Sequence, residues 1–201
     1  MAMKLMAKGS EAEVYRTSAF GIDAILKDRK PKAYRIKELD ESIRSARTRS
    51  EAKITYIADS AGVRVPNVLF AKRYQLFITY IDGSQMSTMM QQGKRISKGM
   101  LVQVGKYLGM LHNAGISHGD FTPANILIDS KGEPWIIDFG LSSISDSIEE
   151  KALDLLLMKR SIDNASYAYF IEGYSSKARA CKIVLMRLSG IEKRGRYNER
   201  S

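Results

Sequence analysis

Cysteine occurs once in this sequence, at Cys181. An internal disulfide is therefore excluded, and so is a cysteine zinc site. Only two histidines, His112 and His118, are present. They make a poor zinc set without cysteine partners, and a poor means of activating the lone thiol. Cys181 is instead expected to be a small core residue beside Ile183 and Val184. No apolar run approaches the roughly 20 residues that a membrane-spanning helix requires. The opening stretch MAMKLMAKGSEAEVY also lacks the long apolar segment of a secretory signal. A reducing, cytoplasmic setting with no membrane association is the resulting expectation. Repeats and low-complexity tracts are absent.

What is present is a chain of 201 residues with 44% hydrophobic and 27% charged content, enough to build a core in one domain or two small lobes. Lysine and arginine exceed aspartate and glutamate by 32 to 22, a net charge of +10. An excess of this size attracts polyanions, so nucleic acid or an acidic partner is implied; a solvated basic surface is the alternative.

KLMAKGSEAEVYR reads as strand, turn, strand, with Gly9 and Ser10 in the turn. GIDAILKDR supplies a further strand ending near Lys27. KELDESIRSARTRSEAKITYIADSAG has few breakers and reads as a long helix stopped by Gly62. VLFAKRYQLFITYIDG reads as a strand hairpin closed by Gly83, where a linker begins. The second half is mainly helical. In SKGMLVQVGKYLGMLHNAG, Met100, Leu101, Val104, Leu108 and Leu111 form one buried face, with Ser97 as N-cap and Gly115 as stop. NILIDSKGEPWIID gives two short strands turning at DSKG. SIEEKALDLLLMKR and SKARACKIVLMRLSG each read as a helix. The fold class expected is α+β and two-lobed, with a small β-rich lobe over residues 1–83 and a reduced helical lobe over residues 84–201. A cleft between the lobes is the natural ligand site.

Three oxygen-bearing side chains carry the chemistry. Asp120 and Asn125 lie in HGDFTPANILI, and Asp138 opens DFG at the end of PWIID. A tight hairpin brings Asn125 and Asp138 to one end of a small sheet, where both suit a hard cation that shares phosphate oxygens. Asp120, in the adjoining loop, is placed to accept or orient a hydroxyl proton.

HGDFTPANILI followed by DFG resembles the catalytic and metal-binding loops of the protein-kinase superfamily, with matching spacings. The resemblance implies a protein-kinase-like fold that binds ATP and Mg2+, with Asn125 and Asp138 as metal ligands and Asp120 as the catalytic carboxylate. Lys27 in AILK takes the place of the lysine that holds the α- and β-phosphates. Glu51 is the candidate ion-pair partner of Lys27, ahead of Glu38 and Glu41, which lie nearer the helix start. Backbone groups of Thr79 and Ile81 are implied to meet adenine, with Ile78 lining the back of the pocket. KGSEAEV replaces the glycine-rich loop, so Gly9 and Ser10 are the residues left to cover the phosphates. The arginine of the usual H-R-D is Gly119, and the lysine two residues after the catalytic aspartate is Thr122. No A-P-E triplet follows DFG. An activation-loop switch and a peptide-docking segment are therefore not expected.

These absences, together with KDRKPKAYRIKELD, RTRSEAK, LHNAGISHGDFTPANILI and IDFGLSSISDSIEEKALDL, resemble the small atypical kinase subunit of the KEOPS complex, the PRPK family, over nearly the whole chain. That likeness implies an ATPase or serine/threonine kinase. Its partners would be a threonylcarbamoyl-transferase subunit, other KEOPS subunits and tRNA; some archaeal members are fused to the transferase. The alternatives are a small-molecule phosphotransferase and a kinase-fold scaffold without turnover. His118 is expected to hold the catalytic loop, His112 and Trp135 to pack, and Asp154 to brace the catalytic-loop backbone. Methionines between 86 and 90 are read as gap-fillers, and Ser142, Ser143, Ser145 and Ser147 as a serine-rich loop. The flexible basic tail, with Lys193, Arg194, Arg196, Arg200 and Tyr197, suits tRNA contact.

Overall fold

The computed structural model describes residues 3–9 and 11–198, with side chains as far as 194. Three consecutive strands, β1 (Lys4–Lys8), β2 (Glu13–Ala19) and β3 (Ile22–Asp28), form an antiparallel meander. Phe20 and Gly21 connect β2 to β3 with φ of 51° and 77°. Such a two-residue turn matches the twist of its strands. Helix α1 (Lys37–Ser60) follows, then β4 (Val68–Lys72) and β5 (Gln75–Thr79), which complete a sheet of order β1-β2-β3-β5-β4. Alternation turns Ala24 and Leu26 of β3 and Leu76 and Ile78 of β5 into the interior. On α1, Thr48, Glu51, Thr55 and Ala58 are buried at helical spacing. The chain leaves α1 through Ala61 and then Gly62, whose φ of 83° only glycine adopts freely.

The far end of α1 does not stop at the sheet. Ile54, Ala58, Val63 and Val65 join the same apolar core as the helical lobe. The Ile136 N–H donates to the Arg64 carbonyl at 2.9 Å, tying this segment to the second lobe.

That lobe holds β6 (Gly83–Gln85), α2 (Met86–Gln91), α3 (Lys98–Asn113), β7 (Ile116–Ser117), β8 (Ile126–Asp129), β9 (Pro134–Ile136), β10 (Ser143–Ile144), α4 (Ile148–Ser161), α5 (Asn164–Lys177) and α6 (Cys181–Asn198). The whole is the expected α+β arrangement of a sheet-rich first part and a helical second part. Ser97 caps α3 by accepting from the Met100 N–H at 3.2 Å. Met86 is fully buried, and Met89 and Met90 pack on the core. No helix among the described residues is long and apolar enough to cross a membrane.

Several elements differ from expectation. Gly83 does not close the hairpin of the first sheet; it opens β6 and pairs with Asp129 of β8, where a Cβ would press on the Ile128 carbonyl at 2.7 Å. The segment 164–177, not anticipated, is α5. Residues 176–190 are not one helix. Ala178 is extended, with ψ of 117°, and the break is held from outside. Asn113 Nδ2 donates to the Lys177 carbonyl at 2.8 Å, and the Arg179 N–H donates to Asn113 Oδ1 at 2.9 Å. Cys181 is only partly buried, with its Sγ 3.2 Å from Ser175 Oγ, and its neighbour Ile183 is exposed. The basic tail is not a flexible segment as far as Asn198: α6 runs to that residue, carrying Lys193, Arg194, Arg196 and Tyr197, while Arg200 lies outside the described residues.

α3 and α5 are in backbone contact. A Cβ on Gly105 would collide with the Phe170 carbonyl, and one on Gly173 with the Val102 carbonyl. Alanine at either position is expected to lower unfolding free energy by about 2–4 kcal/mol, because backbone must shift rather than a flexible side chain. Urea unfolding of Gly105→Ala and Gly173→Ala measures this; wild-type midpoints would contradict the close approach.

Candidate active site

Lys27 sits on β3 facing α1, its side chain 12% exposed. Its Nζ donates to Glu51 Oε1 at 2.6 Å and to Asp138 Oδ1 at 2.8 Å. Burial pulls the ammonium pKa down, but Glu51 and then Asp138 more than compensate, so the net shift is upward and the charge is kept. Asp138 lies beyond β9 with φ of 64°, a left-handed conformation that is uncommon outside glycine. Its carboxylate is steadied by the Gly140 N–H, which donates to Oδ1 at 3.2 Å. The Asp138 side chain is 50% exposed, so only part of the burial penalty reaches it. Burial raises its pKa, Lys27 outweighs this, and the carboxyl is held below its ordinary value.

Asn125 ends a short 3-10 turn that leads into β8. Its Nδ2 donates to the Asp120 carbonyl at 2.9 Å and to Asp120 Oδ2 at 2.8 Å. Its carbonyl accepts from the Ile137 N–H at 3.0 Å, linking the two loops one residue from Asp138. Among the described residues, neither Asn125 Oδ1 nor Asp138 Oδ2 takes a hydrogen bond. Each residue thus uses part of its side chain to fix its position and keeps one oxygen open, the donor type a hard cation needs.

The backbone of the loop carrying Asp120 is clamped from below. Asp154, fully buried on α4, accepts from the His118 N–H and the Gly119 N–H, both at 2.8 Å. It also accepts from His112 Nε2 at 3.2 Å, which leaves Nδ1 to face the Tyr174 hydroxyl at 2.9 Å. His118 Nδ1 accepts from the Asp120 N–H at 3.3 Å, so Nε2 is the donor to the Ile137 carbonyl at 3.2 Å. Gly119 has φ of 80°, and a Cβ would collide with the Leu141 carbonyl. That accounts physically for a glycine where an arginine was sought.

A cavity of about 340 Å³ is lined by Gly9, Glu11, Val14, Lys27, Glu51, Asp138 and their neighbours. Its size suits a small-molecule site. The structure brings Gly9, Lys27, Glu51 and Asp138 together on it. Asp120 and Asn125 form their own bonded pair and do not line it. Ile78 is buried on β5. The Thr79 N–H donates to the Asn67 carbonyl at 2.9 Å, so the adenine expectation rests on its carbonyl. Ile81 lies between β5 and β6, and its N–H has no partner among the described residues. Neither Thr79 nor Ile81 lines the cavity. Ser10 lies outside the described residues. Glu38 and Glu41 do not reach Lys27; Glu41 pairs with Arg73 at 2.8 Å. Two charged residues of the cavity escaped the sequence reading, Glu11 and Arg29. The available signal was strand alternation, which puts positions 27 and 29 on one side.

The RIO domain family model matches residues 12–181. The chain is 33% identical to the protein named KEOPS complex subunit Bud32 of Pyrococcus abyssi, over 99% of this chain and 98% of that protein. It is 37% identical to the probable bifunctional tRNA threonylcarbamoyladenosine biosynthesis protein of Methanothermobacter thermautotrophicus, over 97% of this chain but 37% of that protein. The chain thus spans little more than a third of such bifunctional relatives. Among solved structures it is similar to the Rio2 kinase of Chaetomium thermophilum in an ADP/Mg2+-phosphoaspartate complex, with TM-score 0.65 and 15% identity over 97% of this chain and 72% of that one. A second Rio2 kinase structure from the same organism gives a TM-score of 0.67 at 15% identity, over 96% of this chain and 73% of that one. These likenesses establish a kinase-type fold.

Burial holds both His112 and His118 below the ordinary histidine pKa; Asp154 offsets part of this for each. The unfolded chain therefore takes up protons below about pH 6.5 that the folded chain refuses. Their contribution to stability is present above that pH and lost as pH falls, with a slope approaching about 1.4 kcal/mol per pH unit for each histidine. Urea unfolding at pH 7.5 and 5.5 tests this; equal stability at the two would show that the histidines charge freely in the fold.

Proposed function

Given that the chain belongs to the RIO domain family, and within it to the family of the KEOPS subunit Bud32, we propose that it is a Mg-ATP-dependent atypical kinase or ATPase subunit of KEOPS that supports threonylcarbamoyladenosine modification of tRNA. The observation that carries the chemistry is the Lys27 ammonium, held between Glu51 and Asp138 on the wall of a cavity, with one Asp138 oxygen open.

In this reading Lys27 binds the α- and β-phosphates while Glu51 orients it. Asp138 and Asn125 present their open oxygens to Mg2+. Two protein oxygens are too few for a hard cation alone, which suits a site completed by phosphate oxygens and water. When bound, the metal neutralises charge on the phosphate oxygens. Gly9 covers the phosphate side, and the Thr79 carbonyl and Ile81 N–H meet adenine with Ile78 behind. Asp120, fixed by Asn125, orients the attacking hydroxyl or water. Catalysis is then positioning and electrostatic stabilisation.

All four serines after DFG are engaged: Ser142 Oγ donates to the His118 carbonyl, Ser143 Oγ donates to Glu150, Ser145 Oγ accepts from the Ser147 N–H at 3.1 Å, and Ser147 caps α4. This supports water, or a serine on another molecule, as the acceptor. The division into lobes falls near Gly83, with nucleotide held between them. The bifunctional relatives are longer than this chain, and the transferase partner in this reading is a separate or linked unit. The exposed Lys193 and Arg194 of α6 face tRNA in the cytoplasm.

Magnesium-dependent ATP turnover is expected to rise when threonylcarbamoyl-transferase and tRNA are added. Asp138→Asn is expected to lower it at least about a hundredfold. Phosphate release indifferent to Mg2+ and to this substitution would contradict the site.

A further inference from the structure

Glu51 serves two cations, one at each oxygen. Oε1 accepts from Lys27 at 2.6 Å, and Oε2 accepts from Arg29 Nη2, also at 2.6 Å. The Arg29 side chain is only 6% exposed. Its other amino group, Nη1, donates to Glu11 Oε2 at 3.2 Å. Glu11 belongs to the short loop between β1 and β2, where Gly9 turns back on Ala12 with an N–H to carbonyl bond of 3.0 Å. The remaining Glu11 oxygen pairs with Arg47 of α1. Arg29 and Glu11 both line the cavity. The chain after Asp138 reaches the same point: a Cβ on Gly140 would lie 3.1 Å from Asp138 Oδ1, 3.6 Å from Arg29 Nη2 and 3.8 Å from Glu51 Oε2. One guanidinium therefore joins β3, α1 and the loop over the cavity, beside the Asp138 loop.

The arrangement solves two problems. When Lys27 turns to a phosphate, Glu51 is a buried carboxylate that would lose its partner, which is costly; Arg29 keeps it paired. The loop KGSEAEV also lacks the run of glycines that lets a backbone close on phosphates. An ion-pair latch through Glu11 can hold it down instead. A planar two-edged donor suits this task, whereas a lysine offers one point charge and cannot serve both acids.

We propose that Arg29 is a positioning residue, acting through Glu51 on Lys27 and through Glu11 on the loop that roofs the nucleotide cavity. Orientation of the phosphate lysine and closure of the loop are thereby coupled through one side chain. This inference rests on the Mg-ATP reading given above.

The test uses the full chain and measures both ATP turnover and calorimetric ADP affinity with Mg2+. Glu11→Gln and Arg29→Lys each sever the latch and leave a cation on Glu51. Each is expected to raise KM, and Kd for ADP, about tenfold, with kcat within about twofold. The double variant is expected to be no worse than either single one. Arg29→Met strips Glu51 as well and is expected to lower kcat in addition; should it fail to fold, the other three variants decide. Unchanged KM in Glu11→Gln and Arg29→Lys, or additive effects in the double variant, would overturn the inference. If Asp138→Asn meanwhile abolishes turnover, the Mg-ATP reading survives and only the latch falls. Absence of Mg-dependent nucleotide binding in the wild type would overturn both.

Discussion

A lysine ammonium buried between two carboxylates is the interaction on which the rest of this molecule depends. Lys27 comes from the sheet, Glu51 from the helix packed on it, and Asp138 from a loop of the other lobe. Three separately folded pieces must agree in position for one charge to be satisfied. Removing Lys27 leaves Asp138 without its cation, while Glu51 keeps Arg29; a charge left uncompensated is the expensive case for ion pairs out of water. The fold supplies agreement by extending α1 beyond the sheet. Its first part carries Glu51 against β3, and its second part is packed into the core of the helical lobe through Ile54 and Ala58. The lobes are thus joined by a rigid element as well as by the linker before Gly83.

The helical lobe holds its loops by a different means. Asp154 is buried among apolar residues yet fully engaged, by two backbone N–H groups and an imidazole. The loop carrying Asp120 is consequently fixed by a side chain on α4, and Asn125 fixes Asp120 in turn. Glycines allow the backbones to approach: Gly119 passes under the Leu141 carbonyl, and Gly105 and Gly173 let α3 and α5 touch. The left-handed Asp138 is the one strained residue in this set, and it is also the one aimed at the cleft. Local strain at a residue poised for ligand, supported by a stiff surround, is a common pattern at functional sites.

Much of this was legible in the sequence because it is local. Alternation disclosed β2, β3 and β5, and the apolar face of α3 and the cap at Ser97 marked that helix. Spacing within HGDFTPANILI and DFG singled out Asp120, Asn125 and Asp138 before any geometry was known. What escaped depends on distant partners. α5 carries Gly173 in its second half and its apolar residues are not gathered on one face, so its intrinsic signal is weak; Gly173 is there for contact with α3, not for helix propensity. The break before α6 is held by Asn113, more than sixty positions away in the chain, through its bonds to Lys177 and Arg179. Glu11 and Arg29 read as ordinary surface charges in their own neighbourhoods. Only folding shows that Arg29 bridges Glu11 and Glu51. The basic tail looked like a loose segment because charge runs resemble frayed ends, whereas α6 carries it as helix to Asn198.

The proposed function requires a Mg-nucleotide site assembled around Lys27. The most direct measurement is a calorimetric titration of the purified chain with a non-hydrolysable ATP analogue, with and without Mg2+. One equivalent bound in a strongly magnesium-dependent manner, and lost in Lys27→Met, is the predicted result. Binding that ignores both magnesium and Lys27, or no binding at all, would contradict it.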